Sequence, residues 1–236
     1  MVDKLILALD VKEEAQALTW ADRLHDKVGF FKIGKQLFTS TGPTVVKEII
    51  KRGGHIFLDL KFHDIPNTVA AASIEAVRLG VKMFNVHALG GYEMMARAAE
   101  ATHKEAEKLG IEKPVLIAVT ILTSTDESGL KEVGILEPIK DEVRRLALLA
   151  QKAGLDGVVA SPQEISLVKE SCGSDFVVVT PGVRPAFASL DDQKRVMTPY
   201  EAVKAGADYL VIGRPITNSE DPVKAADLIA GEMCQE

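Results

Sequence analysis

The sequence predicts a closed (β/α)₈ barrel, the TIM-barrel form of an α/β fold, in a single domain over residues 1–236. Short apolar runs alternate with amphipathic stretches along the chain, a pattern typical of parallel strands covered by helices. Counting gives eight strands and about eight helices, and eight such units close naturally into a barrel. An open doubly wound sheet is the alternative. Against it, Asp10-Val11-Lys12-Glu13 follows the first strand where that fold carries a Gly-x-Gly-x-x-Gly turn.

The strands are predicted from runs that are nearly continuous in apolar character. They are Leu5–Asp10, Val28–Ile33, His55–Lys61, Lys82–His87, Val115–Thr120, Gly157–Ala160, Phe176–Thr180 and Tyr209–Ile212. Between them, helical spacing of apolar residues or an opening proline predicts helices. The clearest are Glu13–His25, Asn67–Leu79, Tyr92–Leu109, Pro138–Lys152, Pro199–Ala205 and Pro222–Glu232.

Composition and charge narrow the class of protein. The formal net charge of −6 argues against a general nucleic-acid surface, where clustered Lys and Arg are expected. Two cysteines, Cys172 and Cys234, are too few for a disulfide scaffold and indicate free thiols in a reducing cytosol. The apolar stretch Leu5–Leu9 is too short for a signal peptide or a membrane span. We therefore expect a cytoplasmic protein with no nucleic-acid or membrane partner.

The third predicted strand carries the most informative charges. Side chains alternate between the two faces of a strand, so Phe57, Asp59 and Lys61 share one face with His55. Opposite charges at i and i+2 on an inward face are costly unless they are paired or functional. A structural salt bridge is one interpretation. The position at the end of a barrel strand, where barrel chemistry gathers, favours a functional pair.

Other charged residues lie at neighbouring strand ends. Asp10 ends the first strand and Lys32 lies in the second, where they belong either to the same site or to a structural ion pair. Asp64 follows Lys61 by three residues. It is either a further site residue or a cap for the next helix, with Pro66 in the first turn.

The last two strands are each followed by a loop that suits an anion. Thr180-Pro-Gly-Val-Arg184 and Gly213-Arg-Pro-Ile216 stand where barrels frequently bind phosphate. Arginine offers forked donors that match phosphate oxygens, although a solvated arginine is the plainer interpretation. The long connection between Val183 and Thr198 is a candidate lid over this site, or else an ordinary surface loop.

Two common chemistries lack their sequence signatures. The five histidines show no metal-ligand spacing, which argues against a zinc site. The chain has no Gly-x-Ser-x-Gly, the signature of a serine nucleophile on an α/β-hydrolase fold.

These motifs resemble the orotidine 5′-phosphate decarboxylase family. The resemblance rests on Asp59-x-Lys61-x-x-Asp64, preceded by Asp10 and Lys32, and it covers essentially the whole chain in the family's order. It extends through Asp59-Leu-Lys-Phe-His-Asp-Ile-Pro-Asn-Thr68, Asn85-Val-His-Ala-Leu-Gly-Gly91, Leu122-Thr-Ser124, Thr180–Arg184 and Gly213–Ile216. The run around Lys61 is highly specific.

The resemblance implies a reaction and a division of roles. Orotidine monophosphate would lose carbon dioxide to give uridine monophosphate, with no metal or organic cofactor. Lys61 would deliver a proton to C6 of the pyrimidine, and Asp59 would lie by the substrate carboxylate. Lys32 and Asp64 would complete an alternating charge array, with Asp64 and Thr68 coming from the neighbouring subunit of a homodimer.

The resemblance also implies a set of substrate-binding residues. Asp10 and Lys32 would hold ribose hydroxyls, and Ser124, with backbone around Thr123, would face the pyrimidine. The remaining residues fall into three groups: Gly213, Arg214 and Gln193 at the phosphate, Pro181 and Arg184 framing the lid, and Ile65 beside Asp64.

Three other functions remain open. A metal-dependent phosphosugar decarboxylase or lyase can share an Asp-x-Lys-x-x-Asp strand but binds magnesium for an enediolate. A Schiff-base aldolase would use Lys61 as a nucleophile. The third alternative is an inert nucleotide-binding barrel, against which the intact pair of Asp59 and Lys61 argues.

Overall fold

The computed structural model of the protein describes residues 1–187 and 197–234. Within these residues, eight parallel strands close into a barrel in chain order, and the first strand pairs with the last. The strands are β1 Leu5–Ala8, β2 Phe30–Gly34, β3 Ile56–Phe62, β4 Met83–His87, β5 Val115–Val119, β6 Gly157–Val159, β7 Val177–Pro181 and β8 Tyr209–Ile212. The predicted barrel is confirmed.

Helices occupy every connection between the strands and follow the last strand. They are α1 Glu14–Leu24, α2 Lys35–Thr41, α3 Thr44–Lys51, α4 Pro66–Arg78, α5 Gly91–Leu109, α6 Glu127–Glu132, α7 Ile139–Lys152, α8 Ile165–Cys172, α9 Pro199–Lys204, α10 Arg214–Thr217 and α11 Pro222–Glu232. Short 3₁₀ turns lie at Val2–Lys4, Ala88–Gly90 and Pro162–Glu164. Each of the six helices predicted by name is present within a residue or two of its expected ends, and several connections carry a second, shorter helix.

The core has two layers because strand side chains alternate in direction. One set, which includes Leu5 and Leu7 of β1, packs outward under the helices. The other set points into the barrel. Its buried members are Ile6, Phe57, Met83, Ile117 and Val179, all no more than 1% exposed. This inner layer fills the barrel axis beneath the ends of the strands that carry the predicted site.

Close contact between β6 and β7 depends on a glycine. A Cβ atom built on Gly157 would lie only 2.1 Å from the carbonyl oxygen of Val177, far inside van der Waals contact. Gly157 is the first residue of β6 and pairs with Val177 in the parallel ladder. The two strands can therefore approach only because position 157 lacks a side chain.

The start of α9 is fixed by a reciprocal cap. Thr198 Oγ1 accepts a hydrogen bond from the Glu201 amide at 3.2 Å, and Glu201 Oε2 accepts one from the Thr198 amide at 2.9 Å. This capping box satisfies two amides that the helix itself leaves without partners. It therefore anchors the chain where the predicted lid segment returns to the barrel.

Candidate active site

A row of alternating charges crosses the mouth of the barrel at the carboxyl ends of β1, β2 and β3. Lys32 Nζ lies 3.2 Å from Asp10 Oδ1 and 3.4 Å from Asp59 Oδ2. Lys61 Nζ donates to Asp59 Oδ1 at 2.5 Å. The prediction that Asp59 and Lys61 share the inward face with Phe57 is therefore confirmed, and the pair of Asp10 and Lys32 joins the same row.

Burial differs along this row, and the difference separates the roles open to each residue. The side chains of Lys32 and Asp59 are only 11% and 13% exposed, so each charge depends on its neighbours for compensation. Lys61 is more accessible, with 24% of its side chain exposed. Asp10 is largely exposed and can contact a bound molecule directly. Lys32 and Asp59 thus form the buried centre of the row, whereas Lys61 and Asp10 are accessible to a ligand.

The backbone at Lys61 is left-handed. Its φ is +52°, and no other residue apart from glycine has a positive φ in the two described ranges. Such a conformation costs a side-chain-bearing residue about 1–2 kcal/mol and persists where the surrounding structure requires it. It accompanies an irregularity in the β3–β4 ladder, where the offset between partners falls from 26 at Leu58–Phe84 to 24 at Phe62–Val86.

Asn85 on β4 connects the two central residues and was not singled out as a site residue by the sequence. Its Oδ1 accepts a hydrogen bond from the Lys61 amide at 2.8 Å, and its Nδ2 donates to Asp59 Oδ1 at 2.7 Å. The residue is only 1% exposed. A polar residue between the apolar Phe84 and Val86 in a buried strand was the signal available in the sequence.

The charges border a cavity of about 330 Å³ at the mouth of the barrel. Its apolar wall comes from inward-facing strand residues such as Phe57, Val119 and Val211. The predicted residues that line it are Asp10, Lys32, Asp59, Lys61, Thr123, Pro181, Arg184, Gly213 and Arg214. A smaller recess of about 190 Å³ adjoins the same charges between β1, β2 and the start of α2. The cavity therefore combines a charged side, an apolar wall and an arginine-bearing rim.

The two loops predicted to bind phosphate, after β7 and β8, both border this cavity. Gly213 follows β8, and a Cβ atom there would lie 3.2 Å from the Ala8 side chain and 3.9 Å from Asp10 Oδ2. Arg184 is 9% exposed, and its Nη1 donates to the Val183 carbonyl at 3.3 Å. Its Nε lacks a hydrogen-bond partner among the described residues. The two loops therefore bring a closely packed glycine and two arginine side chains, Arg184 and Arg214, to the lining of the cavity.

Ser161 is a further cavity residue that sequence reasoning missed. It follows β6 and donates a hydrogen bond from its hydroxyl to Glu164. Serine is common in loops, and no motif distinguished this residue in the sequence.

Several predicted residues lie away from the cavity in a single chain. Asp64, Ile65 and Thr68 are exposed on the surface where β3 leads into α4. Asp64 Oδ1 accepts from the Ile65 amide at 2.6 Å, whereas Ile65 itself is the N-cap of α4. The helix-cap interpretation of Asp64 is therefore wrong.

Two further predicted features also lie away from the described cavity. Ser124 is exposed and does not line the cavity. Gln193, and most of the predicted lid between Val183 and Thr198, lie outside the described residues.

A pair of histidines lies beside the charged row. The rings of His63 and His87 stack with centroids 5.5 Å apart and an interplanar angle of 26°. The pKa of His87 is lowered from 6.5 to about 4, chiefly by burial, with smaller contributions in the same direction from His63, Lys61 and Lys35. His87 is therefore neutral at physiological pH.

The described residues carry neither a cluster of metal-ligating side chains nor a helix that could span a membrane. No group of three or more His, Cys, Asp or Glu side chains in residues 1–187 and 197–234 is arranged to hold a metal ion. None of the helices in the same ranges is both long enough and apolar enough to cross a bilayer.

Comparison with known proteins gives one consistent family. Residues 3–229 match the sequence model described as the orotidine 5′-phosphate decarboxylase / HUMPS family. A curated relative from Geobacter metallireducens, named orotidine 5′-phosphate decarboxylase, is 64% identical over 231 residues, which is 98% of this chain and 96% of the relative. A relative of the same name from Geobacter sulfurreducens is 63% identical with the same coverage.

Solved structures agree with the sequence comparison. The crystal structure of orotidine 5′-phosphate decarboxylase from Lactobacillus acidophilus superposes with a TM-score of 0.87 at 38% identity, covering 98% of this chain and 99% of that one. An uncharacterized conserved protein from Geobacillus kaustophilus superposes with a TM-score of 0.85 at 37% identity, covering 97% and 99% of the two chains.

Proposed function

The chain belongs to the orotidine 5′-phosphate decarboxylase / HUMPS family, and we propose that it converts orotidine 5′-phosphate to uridine 5′-phosphate and carbon dioxide. Lys61 is the proton donor in this proposal, and the reaction needs no metal or organic cofactor. The observation that carries it is the Lys61 ammonium, held 2.5 Å from Asp59 and facing a cavity with an arginine-bearing rim.

The chemistry explains why a fixed ammonium is needed. The carboxylate leaves from an sp² carbon of the pyrimidine ring with no adjacent electron sink. When the bond from C6 to the carboxylate breaks, its electron pair stays on C6, and stabilisation must come from preorganised charge. Lys61 Nζ stabilises this charge and then transfers a proton to C6, which forms the C–H bond of the product. The lysine then regains a proton from water.

Asp59 has two consequences for this step. It fixes the position of the Lys61 ammonium, and its negative charge lies beside the carboxylate that leaves. Lys32 contacts both Asp59 and Asp10, which keeps the row aligned when substrate enters. The barrier reduction required falls within the ~8–23 kcal/mol that enzymes supply. Remote contacts to the phosphate contribute by converting binding energy into orientation at the reacting carbon.

The remaining roles in the proposal are those that the family resemblance implies. Asp10 and Lys32 bind ribose hydroxyls, and Thr123 with Ser124 faces the pyrimidine. Phosphate binds at the loops after β7 and β8, through Gly213, Arg214 and Gln193, with Pro181 and Arg184 at the edge of a lid. Most of these residues line the same cavity, which supports this assignment.

A second subunit completes the site in this proposal. Asp64, Ile65 and Thr68 are exposed together in a single chain, next to the strand that carries Lys61. We therefore propose a homodimer in which these residues enter the partner's cavity. Mixing two variants tests it. Lys61→Ala and Asp64→Ala homodimers are each expected to have little activity, but random reassortment should restore about a quarter of the sites. No recovery from a verified mixed dimer would contradict a shared site.

The direct test of the reaction uses purified protein, orotidine 5′-phosphate and a chelator such as EDTA, with pyrimidine absorbance as the signal. Turnover in chelator supports the proposal, and its absence refutes it. The Lys61→Ala variant should lose about 10²–10⁴-fold in kcat while still binding uridine 5′-phosphate. Normal turnover in that variant would rule out the proton-donor role.

The same assay separates the alternative functions. Activity that chelator abolishes would favour the metal-dependent phosphosugar lyase, although the names of the close relatives favour the decarboxylase. A borohydride-trapped adduct on Lys61 would favour the Schiff-base aldolase. Nucleotide binding without turnover would indicate an inert barrel. A cytoplasmic location and the lack of nucleic-acid or membrane partners are also part of the proposal.

A further inference from the structure

We infer that Asn85 is a positioning residue for the decarboxylation: its one carboxamide sets the left-handed backbone of Lys61 and the orientation of the Asp59 carboxylate. The inference rests on the proposed function, in which Lys61 and Asp59 act on the substrate. Asn85 itself does not line the cavity, so it acts through these two residues.

Asn85 lies on β4, the strand adjacent to the one that carries both charges. Its carbonyl accepts from the Lys61 amide at 2.8 Å, and its amino group donates to Asp59 Oδ1 at 2.7 Å. With 1% of the residue exposed, water offers little alternative for these polar atoms. A buried amide is costly unless it is hydrogen-bonded, so the two contacts and the position of Asn85 depend on one another.

The irregular ladder explains why a side chain is needed at this point. Partner pairing between β3 and β4 shifts by two residues between Leu58 and Phe62, and Lys61 lies inside the shifted stretch. The amide of Lys61 bonds to the side chain of Asn85. This bond helps to hold φ at +52°, a value that an L-residue seldom adopts. The direction of the Lys61 side chain follows from that backbone conformation.

The second contact fixes the plane of the Asp59 carboxylate. Oδ1 accepts from both Asn85 and Lys61, while Oδ2 faces Lys32 at 3.4 Å. Without the amide, the carboxylate could rotate about its terminal bond and change its distances to both lysines. Small displacements of catalytic groups reduce rates strongly, because reaction requires near-attack geometry. We therefore expect loss of Asn85 to lower kcat much more than it raises KM.

The first test compares the full-length wild type with Asn85→Leu, which removes both hydrogen bonds at similar volume. We expect kcat with orotidine 5′-phosphate to fall about 10–100-fold and KM to change by less than about threefold. The matched control is Thr102→Val on α5, which removes a buried hydrogen bond from Thr102 to the Ala98 carbonyl at a residue that does not line the cavity. It should lose stability without loss of kcat. Circular dichroism and thermal unfolding establish that each variant folds.

A second variant, Asn85→Asp, keeps the shape and the acceptor for the Lys61 amide but replaces the donor by a carboxyl. Near neutral pH the introduced carboxylate repels Asp59. At lower pH its protonated form can donate to Asp59 Oδ1 as the amide does. The charged and titratable groups nearby are Asp59 and Lys61 on β3, Lys32 on β2 and His87 on β4. Dividing kcat of Asn85→Asp by wild-type kcat at each pH removes the contribution of these groups, because both proteins carry them.

The expected result is that the ratio of kcat for Asn85→Asp to wild-type kcat rises as pH falls from about 8 to about 5. A merely structural role for Asn85 predicts no such recovery. The inference is overturned if Asn85→Leu keeps kcat within about threefold of wild type, or, should that variant not fold, if the Asn85→Asp ratio is flat or falls. Absence of turnover in the wild type would instead refute the proposed function, and the positioning role with it.

Discussion

Replacing His87 by Gln should remove a loss of stability that the wild-type protein undergoes as pH falls below neutral. The pKa of His87 is lowered from 6.5 to about 4, first by burial and then by the neighbouring positive groups. Above pH 6.5 the ring is neutral in both folded and unfolded protein. Between 6.5 and 4 only the unfolded state takes up the proton, so the free energy of unfolding decreases as pH falls through this window.

The size of the effect follows from the two pKa values. Each pH unit in the window lowers the free energy of unfolding by about 1.4 kcal/mol, so the full window corresponds to about 3 kcal/mol. Because the ring is only partly buried, solvent screening reduces this figure, and we expect about 2 kcal/mol between pH 7 and pH 4.5.

Urea unfolding at fixed protein concentration measures this quantity for the wild type and for His87→Gln at several pH values. The difference between the two proteins removes the contribution of carboxylates that titrate in both. His103→Gln, at an exposed position on α5, is the matched control and should follow the wild type. If the stability difference between wild type and His87→Gln stays constant from pH 7 to pH 4.5, the assignment of a neutral, partly buried imidazole is wrong.

Four further predictions test the fold and the site. Gly157→Ala should lower the free energy of unfolding by about 3 kcal/mol, since its Cβ would collide with the Val177 carbonyl; urea unfolding with no measurable change would contradict this. Thr198→Ala should cost about 1 kcal/mol through loss of the α9 cap, and Thr198→Ser should restore most of it. Lys61→Gly should be more stable than Lys61→Ala by about 1 kcal/mol in the same assay, because glycine adopts a positive φ without strain. Arg214→Met should weaken inhibition by uridine 5′-phosphate at least tenfold while leaving inhibition by uridine nearly unchanged, and equal losses for both would argue against a phosphate contact.

The inward face of β3 could be predicted from the sequence even though the strand is irregular. Strict alternation of side chains is a property of a regular strand, whereas the pairing of β3 with β4 shifts between Leu58 and Phe62. The prediction for Asp59 and Lys61 survived because the shift is by two residues, and an even shift returns side chains to the same face. A shift of one would have turned Lys61 towards the helices. Neither the shift nor the positive φ of Lys61 has a signature that a single sequence displays.

Asn85 shows a different limit. Its strand was predicted, and its place between apolar neighbours was visible, but its partners lie 24 and 26 residues away on β3. Only the pairing of β3 with β4 brings the amide to Asp59 and Lys61. The same reason explains Ser161, which borders the cavity because β6 pairs with β7 in the wall of the barrel. Sequence patterns identify which side chains lie at the end of a strand. Which side chains they contact on the adjacent strand depends on the closed fold.

Some expectations depend on parts of the molecule beyond one described chain. The roles of Asp64, Ile65 and Thr68 require a second subunit, and Gln193 lies outside the described residues, so these stay predictions. The short helices between β2 and β3 were not predicted by name because Gly42 and Pro43 interrupt the pattern. Each half is then too short for helical periodicity to be recognised.

The inner layer of the barrel limits the routes by which small molecules can enter and leave. It consists of Ile6, Phe57, Met83, Ile117 and Val179. This layer fills the barrel axis below the charged row, so the direct path for both substrate and products is the mouth at the carboxyl ends of the strands. In the proposed reaction, carbon dioxide and uridine 5′-phosphate would therefore both leave through the mouth by which the substrate enters. Because the filled interior leaves this single direct opening, the two products would share one route out of the barrel.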